Sequence, residues 1–105
     1  MDSDPLEDCE EFEWDEGNIY KNWDRHGVTS QEAEDVFFHD LLVVGNDARH
    51  SQQEKRFYAL GQTTQGRRLF VAFAVRHKRI RVISVRDMNR RERDAYVKHE
   101  NEADA

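Results

Sequence analysis

The sequence predicts a small α+β domain with a largely antiparallel sheet, and two observations lead to this class. Leu69–Val75 and Ile80–Val85 are runs rich in β-branched and aromatic residues, separated only by the polar Arg76–Arg79. Runs of this length are too short for independent helices and are typical of a β-hairpin. Segments with helical spacing lie before and after the hairpin, and such segregation of helices from consecutive strands indicates the α+β class.

The first part of the chain predicts one short strand and a first helix. Phe12 and Trp14 alternate with glutamates, which favours a strand with one buried face. A helix over residues 16–26 should follow, because Asp15 can cap its start and Gly27 stands where a left-handed C-terminal cap favours glycine. The residues expected on its apolar face recur at helical spacing: Ile19, Trp23 and His26.

Two further helices are predicted from paired capping residues. Thr29 and Glu32 have the spacing of a capping box, so a second helix is expected to end near residue 38. Asn89 and Glu92 repeat that spacing before a final helix over residues 90–100.

Two more strands are expected ahead of the hairpin, over residues 41–44 and 56–60. Gly45-Asn46-Asp47 has strong turn chemistry and should close the first of them. The polar Gln62–Gly66 is a second turn, leading into the hairpin. The predicted order of elements is therefore β-α-α-β-β-β-β-α, with the near-continuously apolar hairpin strands inside the sheet.

Charge divides the chain into two parts. Residues 1–16 carry nine acidic and no basic side chains, so the net charge of −6 becomes +3 for the remaining 16 basic and 13 acidic residues. Residues 1–10 are expected to be a disordered acidic tail, residues 11–100 a single domain, and residues 101–105 a frayed C-terminus.

Composition argues against several classes of protein. No apolar run approaches the roughly 18 residues of a membrane span, and the N-terminus is acidic, so neither a transmembrane helix nor a secretory signal is expected. A lone cysteine, Cys9, permits no internal disulfide and fits a cytoplasmic protein. The five histidines lack the spacing of metal ligands, so neither a metal nor another cofactor is expected.

The most basic stretch overlaps the predicted hairpin. From Arg67 to Arg93 the chain has ten basic residues, nine of them arginine, against the acidic Asp87 and Glu92. Arginine matches phosphate oxygens two at a time, so a nucleic-acid backbone is the expected ligand. The alternative is that these arginines pair with the chain's own carboxylates or solvate a strand edge.

Four segments of the chain resemble the BrnT family of type II toxins: FEWDEGNIYKNWDRHGVTSQEAEDVF, DARHSQQEKRFYALG, GRRLFVAF and IRVISVRDMNRRERDAY. The resemblance implies a RelE-like fold and a ribonuclease that arrests translation. It also implies neutralisation by a BrnA-type antitoxin, which itself binds DNA, so that DNA would be only an indirect partner.

The family pattern extends over most of the chain, with two departures. Asn18 stands where a lysine is common in the first helix, and Val85 stands where the S-x-R motif often has a small residue. The positions that match the pattern are Trp14, Asp15, Asn22, Arg25, His26, Gly27, His50, Ser51, Glu54, Arg56, Arg67, Ile83, Ser84, Arg86, Glu92, Arg93 and Tyr96.

RNA cleavage without a metal needs a base for the 2′-hydroxyl, cationic donors for the phosphorane and an acid for the leaving 5′-oxygen. Arg86, at the end of an apolar strand, is the first-ranked donor, and strict alternation places its side chain on one sheet face with Ile80, Val82 and Ser84. The predicted catalytic residues are Arg86, Arg76, Arg56, His50, Glu54 and Arg93. The predicted RNA-binding residues are Arg67, Arg68, Arg79, Arg81, Arg90 and Tyr96.

Two other classes of function use the same residues. A non-catalytic RNA-binding or ribosome-binding module would bind RNA in a salt-dependent way without cleaving it. A protein-interaction domain would use its basic face only to receive an acidic partner.

Overall fold

The computed structural model describes residues 4–47, 49 and 54–103. They contain, in chain order, β1 (Glu11–Glu13), α1 (Glu16–His26), α2 (Ser30–Val36), β2 (Val43–Asn46), β3 (Arg56–Gln62), β4 (Arg68–Arg76), β5 (Arg79–Asp87) and α3 (Arg90–Ala103). The predicted α+β class and element order are confirmed. No helix among these residues is long and apolar enough to cross a membrane.

The strands form one five-stranded sheet in the order β1-β5-β4-β3-β2. β1 lies parallel to β5, and the other neighbouring pairs are antiparallel. Both strands of the hairpin have a partner on each side, as their near-continuous apolarity predicts. The hairpin turn is only His77 and Lys78, both at positive φ (52° and 62°), which is the backbone of a tight two-residue loop.

The two faces of the sheet are covered unequally. α1 packs on β5 and α2 packs on β3 and β4, and together they bury the main core against what we call the helical face. Phe73 and Val82 are fully buried there. α3 lies on the opposite side, where its Tyr96 packs with Leu60 and Met88 at one end of the sheet. We call this second side the open face.

The caps of α1 and α2 are formed as predicted. The Asp15 side chain accepts the Gly17 N–H, and Gly27 has φ 61°, so α1 has the predicted bounds. Thr29 and Glu32 form a complete capping box. α2 ends at Val36 rather than near residue 38.

The predicted apolar face of α1 was wrong for two of its three residues. Trp23 is 58% exposed and His26 is exposed as well, whereas Asn22 is buried. The reason lies in β5, because β1 pairs with only Arg79–Arg81 and leaves the rest of that strand edge without a strand neighbour. The Asn22 Oδ1 accepts the Val85 N–H at 3.2 Å, so the buried position is taken by a side chain that hydrogen-bonds the strand.

Two predicted boundaries also differ. Gly45 and Asn46 belong to β2 rather than to a turn, because Gly45 faces Tyr58 across the ladder and a Cβ there would collide with the Tyr58 ring. α3 runs to Ala103 rather than to residue 100, and residues 104–105 lie outside the described residues. The expected fraying of the C-terminus stays a prediction.

Part of the acidic N-terminal segment contacts the domain. Leu6 and Cys9 pack against the core of the helical face, and the Glu10 N–H donates to the Lys78 carbonyl at 2.9 Å. Burial raises the pKa of the Cys9 thiol, assisted by the charges of Asp4 and Asp8. The expected disorder of residues 1–10 stays a prediction.

Candidate active site

The open face is read from the strand register, because cross-strand partners project from the same side of a sheet. One row contains Arg56, Ala74 and Arg81, and its neighbour contains Tyr58, Ala72 and Ser84. The next row contains Leu60, Phe70 and Arg86. Small side chains therefore form the middle of the face, with arginines of β3 and β5 on either side.

Arg86 is fixed by three contacts from three parts of the chain. Its Nη1 and Nη2 donate to the two carboxylate oxygens of Glu92 at 2.7 and 3.0 Å. Nη1 also donates to the Asp87 carbonyl at 3.2 Å. The guanidinium carbon lies 4.2 Å from the centre of the Phe70 ring, in cation–π geometry.

These contacts use only part of the guanidinium. Arginine has five N–H groups, and the hydrogen bonds to Glu92 and Asp87 take three of them. The remaining two belong to Nε and Nη2, which lie on one edge of the planar group. No acceptor for this edge lies among the residues that the structure describes, so a second bidentate acceptor can be bound there.

Glu92 is held as firmly as Arg86. Its Oε1 accepts the Asn89 N–H at 2.9 Å, and its own N–H donates to Asn89 Oδ1 at 2.8 Å, which is the predicted cap of α3. Burial alone would raise the pKa of the Glu92 carboxyl, but the hydrogen bonds and charge of Arg86, together with the Asn89 N–H, leave that pKa below its usual value.

Other predicted cations lie along the same face with different partners. Arg76 donates to Glu54 at 2.9 Å, and Arg79 donates to Glu11 at 2.8 Å; all four side chains are at least one-third exposed. Arg81 has no ion pair within the described part of the chain, where it faces Ala74 of β4. The structure thus brings the predicted Arg56, Arg76, Arg79, Arg81, Arg86 and Glu54 onto one face.

Arg67, in contrast, lies towards the helices. Its Nε and Nη2 donate to the Asp87 carboxylate at 2.8 and 3.1 Å. Its Nη1 donates to Gly27 O and Glu32, and Nη2 also donates to His26 O, so all five N–H groups are used. The hydrogen bonds to Asp87 raise the pKa of Arg67 and lower that of Asp87.

The predicted residues on and near α3 form a separate group. Arg68 donates to Glu100 at 3.0 Å and lies over the Tyr96 ring at 5.9 Å. Tyr96 is fully buried and its hydroxyl donates to Leu41 O at 3.0 Å, so its position is that of a tether between α3 and the sheet. Burial raises the pKa of the Tyr96 hydroxyl, with the Glu100 charge adding to this. Arg90 and Arg93 are exposed on α3.

His50, a predicted catalytic residue, and Ser51, which matches the family pattern beside it, lie outside the described residues. Over residues 4–47, 49 and 54–103 there is no group of three or more histidine, cysteine or acidic side chains arranged to hold a metal ion. The individual site roles of all these residues therefore stay predictions.

Two residues that shape this site were not identified from the sequence. Phe70 lies under Arg86, but its place follows from a ladder whose register shifts between Ala72 and Phe73. Asn22 reaches β5 one residue before Arg86 by hydrogen-bonding Val85. Without the shift, strict alternation from the two-residue turn would pair Phe70 with Val85 and put it on the face opposite to Arg86. Nothing local signals the Asn22 contact either.

Comparison with known proteins decides the family. The sequence model described as the ribonuclease toxin BrnT of a type II toxin–antitoxin system matches residues 14–92, well over half of the 105 residues. The chain belongs to the BrnT family. As a BrnT family member it is a ribonuclease toxin of a type II toxin–antitoxin system, which implies an RNA substrate and an antitoxin partner. The resemblance stated from the motifs is confirmed.

A solved structure shares the BrnT fold. The 1.1 Å crystal structure of the Brucella abortus ribonuclease toxin BrnT aligns with a TM-score of 0.57 and 22% sequence identity. The alignment covers 76% of this chain and 97% of that chain. No curated protein matches the chain in sequence.

Proposed function

We propose that this BrnT family member is a cytoplasmic, metal-independent endoribonuclease that cleaves RNA by attack of a 2′-hydroxyl and thereby arrests translation. The observation that carries the proposal is the Arg86 guanidinium, which is fixed on the open face with one bidentate edge that meets no acceptor in residues 4–47, 49 and 54–103. Such an edge matches two oxygens of a phosphate.

The phosphate contacts follow from the arrangement of the face. Arg86 donates through Nε and Nη2 to the scissile phosphate, where negative charge develops in the transition state. Arg56 and Arg81 project on the two sides of Ala74, one strand away on each side, and supply further positive charge to the same region.

Proton transfer is assigned to residues of the segment that precedes β3 in the sequence. His50 is the proposed base because an imidazole titrates closest to neutral pH. Glu54 is the second candidate; one of its oxygens accepts from Arg76, which leaves the other oxygen for a hydroxyl proton. Arg76 and Arg93 complete the proposed cationic surroundings.

A BrnA-type antitoxin is the proposed inhibitor. It is expected to cover the open face or α3, because covering the arginines excludes RNA directly. Charge complementarity would make the association fast and salt-sensitive. A complex that leaves those arginines exposed and cleavage undiminished would contradict this part of the proposal.

The test uses purified protein, labelled RNA and a chelator. The proposal predicts RNA cleavage with the metal removed, and it predicts growth arrest on induction of the chain that is relieved by co-expression of its neighbouring reading frame. Salt-dependent RNA binding without cleavage would instead select a non-catalytic binding module. Neither activity, with tight association to the companion protein, would select a protein-interaction domain.

A further inference from the structure

We propose that Glu92 is a positioning residue for RNA cleavage, and that α3 through Glu92 sets the direction of the phosphate-binding edge of Arg86. This inference rests on the ribonuclease mechanism proposed above. It assigns a role to a carboxylate that, as an ion-pair partner of Arg86, would at first be taken to block it.

The first step is which edge Glu92 occupies. Its two oxygens accept hydrogen bonds from Nη1 and Nη2, at the edge farthest from the side-chain stem, at 2.7 and 3.0 Å. A phosphate bound at the Nε–Nη2 edge therefore does not displace the carboxylate. Glu92 and RNA use different donors of one arginine, so the ion pair and the proposed phosphate contact are compatible.

The second step is that the plane of the guanidinium is fixed. Phe70 supports it from one side at 4.2 Å, and the Asp87 carbonyl holds Nη1. The Glu92 side chain is only 18% exposed and is itself tied to Asn89 at the start of α3. Each contact comes from a different element, so rotation of Arg86 requires several hydrogen bonds to break together.

The third step concerns how the helix is anchored. Tyr96 is fully buried and reaches Leu41 next to β2, which fixes α3 one turn beyond Glu92. The position of α3 on the sheet therefore determines where the Glu92 carboxylate holds the Arg86 guanidinium. Correctly placed donors matter because a displacement of about 1 Å can lower a rate by about 10²-fold.

The direct test is Glu92→Gln in single-turnover and steady-state cleavage of labelled RNA. The amide keeps the size of the side chain but replaces one acceptor with an NH₂ group that faces an Arg86 N–H. We expect kcat to fall about 10- to 100-fold, with a much smaller change in KM, because the other arginines still bind RNA. The kcat of Glu92→Asp, which keeps the charge on a shorter side chain, should lie between those of the wild type and of Glu92→Gln.

Two controls separate positioning from simple loss of stability. Glu100 lies on the same helix as Glu92 and pairs with Arg68 of β4. Glu100→Gln removes this ion pair and should leave kcat close to the wild-type value. In an Arg86→Ala background, Glu92→Gln should cause no further loss, because the group that it positions is gone. Circular dichroism and chemical denaturation establish that each variant is folded.

Each outcome decides the matter. Folded Glu92→Gln with wild-type kcat would overturn the inference while leaving the ribonuclease proposal intact. An equal further loss in the Arg86→Ala background would assign Glu92 a role independent of Arg86 and would also overturn it. Absence of cleavage by wild-type protein would remove the proposed function and this inference with it.

Discussion

Arg67 and Arg86 are both arginines bound bidentately by a carboxylate, yet their surroundings differ in what they leave available. Arg67 donates all five of its N–H groups to Asp87, Glu32 and two backbone carbonyls at the end of α1. Arg86 donates three, and the adjacent pair on Nε and Nη2 has no acceptor among the described residues. The number of N–H groups that already have an acceptor therefore distinguishes Arg67 from Arg86, whereas the presence of an ion pair does not.

The comparison assigns each arginine to a different task. The carbonyls of His26 and Gly27 are among those that a helix C-terminus leaves without partners, and Arg67 satisfies both while joining α1 to β5. That is a structural clamp. Arg86 lies on the opposite face, where its free edge can accept a phosphate.

The largest expected effect is on cleavage by Arg86→Ala. Loss of one donor to the transition state typically lowers a rate by about 10²–10³-fold, and Arg86 is exposed enough for the fold to tolerate its removal. Single-turnover cleavage and circular dichroism measure the two quantities. Arg91→Ala, an exposed arginine of α3, is the control for loss of one positive charge. A folded Arg86→Ala protein with full activity would remove Arg86 from the mechanism.

Arg67→Ala should act on stability instead. It removes hydrogen bonds from a charged donor, and partial exposure of Asp87 and Glu32 reduces their value, so we expect the free energy of unfolding to fall by about 1–3 kcal/mol. Cleavage by the folded fraction should change far less than in Arg86→Ala. Urea denaturation with activity normalised to folded protein checks both. An Arg67→Ala protein with unchanged stability and no cleavage would contradict the structural role of Arg67 and give it a role in cleavage instead.

Acid should weaken the clamp. Hydrogen bonds from Arg67 hold the pKa of Asp87 below its usual value, and the Thr29 N–H, followed by Arg67, holds the pKa of Glu32 below its usual value in spite of burial. Groups with a lowered folded-state pKa stabilise the protein above the unfolded pKa, and this stabilisation is lost as the pH falls through the folded value. The free energy of unfolding should therefore decline below about pH 4.5. The decline should be shallower in Arg67→Ala; parallel curves for the two proteins would contradict the clamp.

The smallest expected effect concerns the acidic N-terminal segment. Leu6 and Cys9 contact the core and should be kept, so the informative variant neutralises exposed acids only: Glu7→Gln, Asp8→Asn and Glu10→Gln. If the segment competes with RNA for the arginines, the variant binds RNA several-fold more tightly at low salt. Screening over about 8 Å at physiological salt should nearly abolish the difference.

The control for this experiment changes the same charge elsewhere, with Asp24→Asn, Asp94→Asn and Glu102→Gln, all exposed on α1 or α3. Fluorescence anisotropy with labelled RNA at two salt concentrations measures the affinities. Equal affinities for wild-type protein and the N-terminal variant at low salt would dispose of the competition.

Local signals in the sequence predicted most of the fold. α1 was placed to the residue because Asp15 and Gly27 are caps whose chemistry depends on neighbouring backbone alone. Boundaries failed where distant residues decide the conformation. Gly45 was interpreted as a turn residue, but the ring of Tyr58 on another strand explains the glycine.

The candidate site was predictable in composition but not in geometry. The motifs selected Arg86 and Arg56, and strict strand alternation put Arg86 on one face with Ile80, Val82 and Ser84. Only Ser84 shares the open face with Arg86, because the register shift leaves Ile80 and Val82 in the core of the helical face. Which edge of Arg86 remains available depends on Glu92, Asp87 and Phe70 together, and the register shift in β4 and β5 that aligns them has no local signal. Sequence alone therefore could not separate Arg67 from Arg86.

The measurement that tests the account most directly is single-turnover cleavage, in a chelator, of an RNA whose cleavage position has been mapped. The same RNA is compared with a copy that carries one 2′-deoxynucleotide at the residue supplying the attacking hydroxyl. The account predicts cleavage of the all-ribose RNA to a 2′,3′-cyclic phosphate and a 5′-hydroxyl, no cleavage of the deoxy copy, and a rate about 10²–10³-fold lower for Arg86→Ala. Cleavage that requires a divalent metal, or that proceeds equally on the deoxy copy, would contradict it.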